Sequence, residues 1–348
     1  MEQRIIISDN FKRELAQAVA ECEHDRIFVL VDENTREACW QKIQGFFSLK
    51  NASLIAVKAT DSNKNLETLS HVWEEMQRGN ATRHSLLINL GGGMVTDLGG
   101  FAASTFKRGI NFINVPTTLL AMIDASVGGK TGINFGGLKN EIGVFSEARF
   151  VILDTTWLKT LDRENLLSGY AEMLKHGLIA EETMWADLLK FDFAEPDLKK
   201  LSSMLRENVA VKERIVKADP QERGIRKSLN LGHTFGHAFE SWALKRNPIL
   251  HGYAVAFGLV CELYLSVIKT GFPSDKMRQT VNYIKENYSS LSITCNDYAE
   301  LIELMHHDKK NRDNGINFSL LSEIGKVNIN QTATEEEIKE ALDFFREG

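Results

Sequence analysis

His233 and His237, in Gly232-His233-Thr234-Phe235-Gly236-His237, stand four residues apart. That spacing puts two side chains on one face of a helix. A third histidine follows in Leu250-His251-Gly252, and a carboxylate lies upstream in Ala171-Glu172-Met173-Leu174-Lys175-His176-Gly177. One carboxylate with two or three imidazoles is a donor set for a divalent cation that keeps a coordination position open for a reacting oxygen. Thr234 and Phe235 stand inside the motif where a zinc protease would carry its general-base glutamate, which argues against peptide hydrolysis. Glu240, one turn past His237, is a further ligand or a partner that orients one. Spacing alone does not decide which histidines bind.

A second constellation suits phosphate groups. Leu90-Gly91-Gly92-Gly93-Met94-Val95-Thr96-Asp97 follows an apolar run and opens a helical pattern. Backbone amides in such a turn, with a helix N-terminus, cradle a pyrophosphate. Thr96 takes the place of the third glycine of the usual fingerprint. Asp32, ending an earlier strand, suits ribose hydroxyls, or equally caps its own loop. Downstream come Pro116-Thr117-Thr118, Asp124-Ala125-Ser126-Val127-Gly128-Gly129-Lys130-Thr131 and Gly136-Gly137-Leu138-Lys139-Asn140. Gly129-Lys130-Thr131 is not a nucleotide-hydrolase loop, because Asp124 stands where that loop needs glycine. Lysines and an asparagine in glycine-rich loops suit an anionic substrate. Lys175, Lys212, Arg226, Lys227, Lys309 and Lys310 add cations around the metal-type motifs.

These residues need elements to hold them. Apolar runs at Ile27–Val31, Ser53–Val57, Ser85–Leu90 and Phe112–Val115 read as buried strands alternating with helices such as Leu66–Arg78. That alternation predicts an α/β domain with a largely parallel sheet over residues 1–155. Residues 156–348 read as mostly helical, with helices over Glu164–Ala180, Met184–Leu189, Leu198–Lys217, Ser228–Lys245, Val255–Thr270, Ser274–Glu286 and Glu335–Arg346 and a short strand at Ile316–Leu321. The net charge of −6 argues against nucleic acid or an anionic membrane as partner. Cys22, Cys39, Cys261 and Cys295 form no CxxC pair, which fits a reducing cytoplasm. No secretory leader and no uninterrupted apolar stretch of membrane-spanning length is apparent.

Taken in order, these segments resemble the 3-dehydroquinate synthase family, within the sugar phosphate cyclases. The resemblance runs from the strand before Asp32 to Asp308-Lys309-Lys310. Its most specific pieces are Gly91 through Phe101, Phe106-Lys107-Arg108-Gly109, Pro116 through Ala121, Asp124 through Thr131, Gly137 through Asn140, Leu229 through Ala238 and His251-Gly252. It implies bound NAD⁺ and one catalytic Zn²⁺, with Co²⁺ as the alternative ion. It implies a homodimer and a phosphorylated carboxylic sugar acid, 3-deoxy-D-arabino-heptulosonate 7-phosphate, as substrate. By the same likeness Glu172, His233 and His251 hold the metal, and His237 joins Lys130, Asn140 and Lys309 or Lys310 around the phosphate. Arg108 reaches the neighbouring subunit's site. Lys212, Arg226 and Asn230 resemble the carboxylate set, and Asp124 and Lys175 the partners of the ring hydroxyls. Asp32, Lys64, Gly91, Gly92, Gly93, Asp97, Thr117, Thr118 and Lys139 fall on the cofactor side.

The implied reaction oxidises a hydroxyl transiently, eliminates phosphate, returns the hydride and closes the ring by an aldol step. Its net class is carbon–oxygen lyase. The chain departs from the family pattern at Tyr253, usually Glu, and at Thr96 and Gly99, more commonly Gly and Ala. It also carries Thr60-Asp61-Ser62-Asn63-Lys64 for a usual Gly-Glu-x-x-Lys. The competing readings are another sugar phosphate cyclase, or a metal-dependent alcohol or glycerol dehydrogenase. A third is a metabolite-binding protein that keeps the fold without the chemistry.

Overall fold

The computed structural model describes residues 3–306 and 315–347, so Lys309 and Lys310 lie outside the described residues. The chain divides into two compact units, Met1–Asp162 and Arg163–Gly348.

The first unit is built on six parallel strands: β1 (Arg4–Ile7), β2 (Ile27–Asp32), β3 (Ser53–Val57), β4 (Leu86–Gly91), β5 (Asn111–Pro116) and β8 (Phe150–Leu153). Their order is β1-β8-β5-β4-β2-β3. In register, Ile88 faces Val29 on one side and Ile113 on the other. Val29, Leu30, Leu86, Leu87, Ile88 and Ile113 are fully buried. Continuous burial is why these strands read as apolar runs rather than alternating ones. β1 and β8, four residues each, are too short to stand out by pattern.

From β2 the chain steps to β3 on one side, then back across to β4 on the other. The order therefore reverses between β2 and β4, where open α/β sheets bind ligands beyond the carboxyl ends of their strands. Asp32 ends β2, and the glycine loop ends β4. This answers why the loop can sit on a late strand in sequence: β4 is central in space.

The segment read as glycine-rich loops is instead a hairpin, β6 (Lys130–Phe135) paired with β7 (Leu138–Phe145). Gly136 and Gly137 turn it with φ of +60° and +83°. Two successive positive φ values are the two-residue turn that matches strand twist.

Among its described residues the second unit is helical: Arg163–Ala180, Glu182–Leu188, Leu198–Ala218, His233–Leu244, His251–Thr270, Ser274–Asn287, Tyr298–His306 and Glu335–Glu347, with one hairpin, β9 (Asn317–Glu323) and β10 (Lys326–Thr332). The single helix expected over Ser228–Lys245 is two pieces: a 3₁₀ turn at Ile225–Asn230 and the helix from His233. Gly232 lies between them at φ +79°, a conformation that breaks a right-handed helix. The helix expected from Val255 begins four residues earlier, at His251. His251–Thr270 is long and apolar enough to cross a membrane, but 78% of that stretch is buried inside the unit, as in a core helix.

Candidate active site

The metal-type residues come from three helices of the second unit. Arg163–Ala180 carries Glu172 and Lys175, His233–Leu244 carries His233, His237 and Glu240, and His251–Thr270 starts with His251. A side chain at Gly252 would meet the Ser168 carbonyl oxygen at 1.7 Å, and the Gly252 N–H donates to Ser168 Oγ at 3.1 Å. Only glycine allows that crossing, and the crossing brings His251 beside Glu172, one turn on from Ser168.

Glu172 is fully buried. Its Oε1 lies 3.3 Å from His233 Nε2 and 3.5 Å from His251 Nε2. Oε2 pairs with the Lys175 ammonium. The ligand atoms of Glu172, His233 and His251 all lie within 4.8 Å of one another. A tetrahedral ion with bonds of about 2.0–2.1 Å separates its ligand atoms by roughly 3.3 Å, so this donor set fits a small divalent cation. A buried carboxylate is costly unless cations compensate it, as Lys175 does on one oxygen and a bound ion would on the other.

The other ring nitrogens are engaged. His233 Nδ1 meets the Leu231 carbonyl at 3.1 Å, and His251 Nδ1 meets Glu240 Oε2 at 3.1 Å. Those contacts leave each Nε2 directed at Glu172, the arrangement that fixes a metal-binding tautomer. His237 has its ring centre 5.3 Å from that of His233, yet it does not join the three-ligand group. Burial alone would raise the Glu172 carboxyl, but Lys175 and His233 outweigh it and hold it well below the usual range. Burial likewise opposes charge on His251, but Glu240 and Glu172 prevail and push it up to about 10 in the metal-free protein.

Arg226 and Lys212 are buried at 2% and 5% exposure in the same unit. Arg226 donates to the Pro220 carbonyl at 2.8 Å, and Asn230 donates to Glu222 at 2.8 Å. Asp219 accepts from the backbone N–H groups of Arg223, Gly224 and Arg226 and thereby shapes this cationic turn. Tyr253, where the likeness leads one to expect Glu, packs edge-on against Tyr288 at 5.1 Å between ring centres.

In the first unit the glycine loop opens the helix Gly93–Thr105 with Gly92 as its N-cap and no side chain capping it. Its first turn carries no acidic residue. Side chains there would fill the cradle: a Cβ on Gly91 would meet Val95 at 2.5 Å, and one on Gly92 would meet Thr118 at 3.1 Å. The free amides and the helix dipole suit a dinucleotide's pyrophosphate. Thr117 donates its N–H to the Gly91 carbonyl at 3.0 Å, tying the β5 end to the loop. Asp32 caps its own turn, with Oδ1 accepting from Thr35 N at 2.7 Å and Thr35 Oγ1 at 3.0 Å.

Lys64 is the hub of this unit. Only 4% exposed, its Nζ donates to Asp97 at 2.9 Å and to Asn140 Oδ1 at 2.6 Å, and lies 3.3 Å from Asp61. Burial would lower its ammonium, but Asp97 and Asp61 outweigh that and raise it. Lys139 reaches Asp61 at 3.3 Å, and Asn134 donates to Asp61 and accepts from the Asn140 N–H. The network thus joins Lys64, Asp97 and Lys139 of the cofactor set to Asn140 of the phosphate set. Asp61 and Asn134 were not singled out from sequence as site residues; Asp61 showed only as a departure. Thr60, where glycine is usual, keeps φ at +83°. Gly99 is explained by Asn89, whose Oδ1 lies 1.9 Å from where a methyl would sit. Asp124 lies in a π turn, Ala121–Ala125, closed by Ser126 donating to the Ala121 carbonyl at 2.7 Å. Such turns recur at functional sites. Arg108 sits at φ +70° on an exposed turn, and Lys130, also exposed, starts β6.

A parallel-sheet unit with a glycine cradle, followed by a helical unit with a carboxylate–histidine cluster, is a two-unit α/β-plus-helical class of fold found in several solved enzymes. Solved structures with this fold include a 2-epi-5-epi-valiolone synthase from Streptomyces hygroscopicus with NAD⁺ and Zn²⁺ bound, at TM-score 0.85 and 23% identity, covering 100% of this chain and 97% of that one. A butanol dehydrogenase from Thermotoga maritima shares it at TM-score 0.70 and 14% identity, covering 98% and 96%. At those identities the likeness is one of fold.

Sequence settles the family. The 3-dehydroquinate synthase N-terminal model matches residues 54–168, and the C-terminal model matches residues 169–311. A 3-dehydroquinate synthase from Parabacteroides distasonis is 52% identical over 347 residues, 99% of this chain and 98% of the relative. One from Clostridium tetani is 35% identical over 92% of this chain and 86% of the relative. The chain belongs to the 3-dehydroquinate synthase family and is a lyase of that type.

Proposed function

We propose that this chain turns 3-deoxy-D-arabino-heptulosonate 7-phosphate into 3-dehydroquinate and phosphate, using NAD⁺ and one divalent ion held by Glu172, His233 and His251. The observation that carries the reading is the fully buried Glu172 carboxylate, whose Oε1 faces two imidazole Nε2 atoms at 3.3 and 3.5 Å while Oε2 pairs with Lys175. Held by Glu172, His233 and His251, Zn²⁺ or Co²⁺ would supply the Lewis acidity for a substrate hydroxyl, and NAD⁺ on the Gly91–Gly93 cradle would supply a reversible hydride acceptor.

The chain's own residues do the rest. Gly91, Gly92 and Gly93 offer the backbone cradle for the dinucleotide, with Asp97, Thr117, Thr118, Lys64, Lys139 and Asp32 around it. Asp32 spends Oδ1 on its own turn, so only its second oxygen is left for ribose. Lys130, Asn140 and His237 bind the phosphate, and positioned cations stabilise its departure as charge develops. Lys212, Arg226 and Asn230 hold the carboxylate in a buried cationic turn, where a charge-assisted contact is strong. Asp124 and Lys175 meet ring hydroxyls, and the Lys175–Glu172 pair keeps the ammonium beside the metal position. Arg108, displayed on an exposed left-handed turn, serves a second copy of the chain in a homodimer. Cys22, Cys39, Cys261 and Cys295 are free thiols, which fits work in the cytoplasm.

The test is phosphate release from that substrate with NAD⁺ and Zn²⁺, followed together with NADH absorbance. One phosphate per substrate consumed, with no net NADH, is the expected result. Absence of phosphate release would point to a different cyclase substrate, and steady NADH accumulation on simple polyols to a dehydrogenase.

A further inference from the structure

The helix His251–Thr270 carries a second carboxylate, Glu262, that the mechanism above does not use. Glu262 is fully buried in an otherwise apolar run, Val255-Ala256-Phe257-Gly258-Leu259-Val260-Cys261 before it and Leu263 after. A carboxylate is rarely kept in such a place without donors. Its donors are the backbone N–H groups on either side of His233. Oε2 accepts from Gly232 N at 2.7 Å, and Oε1 accepts from Thr234 N at 2.9 Å and Phe235 N at 3.4 Å.

Those amides are the start of the helix that begins with His233, where N–H groups lack partners within the helix. Helices normally solve this with a capping side chain of their own. Gly232 has none, and its φ of +79° shuts out the usual caps. Glu262 supplies the acceptors from another helix. Gly258, one turn before it, permits the approach: a Cβ there would meet the Gly232 carbonyl oxygen at 1.9 Å. Glu262 also stands eleven residues, close to three turns, after His251, so both lie on one face of their helix. One helix therefore presents a metal ligand at its start and grips the backbone that aims the other histidine.

We propose that Glu262 is a positioning residue for the metal centre, fixing the His233 imidazole through the amides of Gly232, Thr234 and Phe235. The inference rests on the metal reading above. Glu262→Gln keeps the shape but turns one acceptor into a donor facing an N–H group. Glu262→Asp keeps the charge and shortens its reach by one methylene.

The measurement is the Zn²⁺ dissociation constant by chelator competition, with the visible spectrum of the Co²⁺-loaded protein, NAD⁺ titration and thermal unfolding of the metal-free protein alongside. Glu262→Gln should weaken metal binding at least about tenfold, alter the Co²⁺ spectrum and leave NAD⁺ affinity unchanged. Glu262→Asp should recover part of the loss, and it is the variant read if Glu262→Gln does not fold. Wild-type metal affinity and Co²⁺ spectrum in either folded variant, with only a lower melting temperature, would overturn the proposal and leave Glu262 a helix cap. Failure of the unmodified protein to bind one metal per chain would instead refute the metal reading itself.

Discussion

The two units hold their charged groups in opposite ways. In the second, Glu172 and its histidines sit on helices whose backbones touch at Gly252 and Ser168, Glu172 is fully buried with His233 nearly so and His251 half-buried, and each imidazole is oriented by a fixed acceptor. In the first, the groups proposed to meet anions sit on turns: the glycine loop, the Asp61–Lys64 segment, the Arg108 turn and the β6–β7 hairpin. A metal ion tolerates little positional error, so its ligands are locked by packing. A dinucleotide and a sugar phosphate are long and charged, and backbone amides with a shared ion network suffice to hold them.

The harshest way to break that contrast is to remove the locked carboxylate. Glu172→Gln should abolish metal binding and reduce turnover by several orders of magnitude, while its unpaired neighbour Lys175 lowers stability. Metal content by atomic absorption and phosphate release check it, and near-normal activity in a metal-stripped preparation would sink the ligand assignment.

Lys64→Ala should next disable the first unit's network. It strips Asp97 of its ammonium partner and Asn140 of its donor, weakening NAD⁺ at least tenfold. The stability loss should fall below the roughly 3–5 kcal/mol typical of a fully buried broken pair, because Asp97 keeps 16% of its side-chain surface exposed. Denaturant unfolding and NAD⁺ titration measure the two effects. Loss of bound metal in the same variant would show that the two centres are not independent.

A gentler probe is pH. In the metal-free protein His251 is pushed up to about 10 from an ordinary 6.5. Its pairing with Glu240 and Glu172 therefore contributes stability in full below 6.5, and the contribution is lost as pH rises through 10. A cation must displace that proton, so metal affinity should climb with pH across the same window. Calorimetry in buffers of different ionisation enthalpy should find about one proton released near neutrality, and none released would contradict the pairing.

The smallest effect belongs to Thr60. A β-branched residue at φ +83° is strained, so Thr60→Gly should stabilise the protein by no more than about 1 kcal/mol, read as a rise in melting temperature. A fall would mean that the Thr60 hydroxyl, 2.8 Å from Ser62 Oγ, matters more than the strain.

Much of this was legible in the chain itself. β2 through β5 announced themselves as apolar runs, and the donor types for a metal were plain from Glu172, His233, His237 and His251. Spacing could not choose among the histidines, because i and i+4 report only a shared face. The proposed choice rests on where a third helix crosses, and that crossing is set by Gly252 against Ser168. The hairpin β6–β7 was hidden because its glycines read as flexibility, whereas Gly136 and Gly137 make a tight turn. The break before His233 was hidden because Gly232 passes for an ordinary helical glycine until its φ is known. Glu262 left a signal that could have been used: a lone acidic residue in an apolar helix, three turns from His251.

The central claim is that Glu172, His233 and His251, and not His237, form the metal centre. Metal titration of His237→Ala beside His251→Ala tests it most directly. One tightly bound ion per chain in the first and none in the second is the predicted result. Loss of the ion in His237→Ala with retention in His251→Ala would contradict the account.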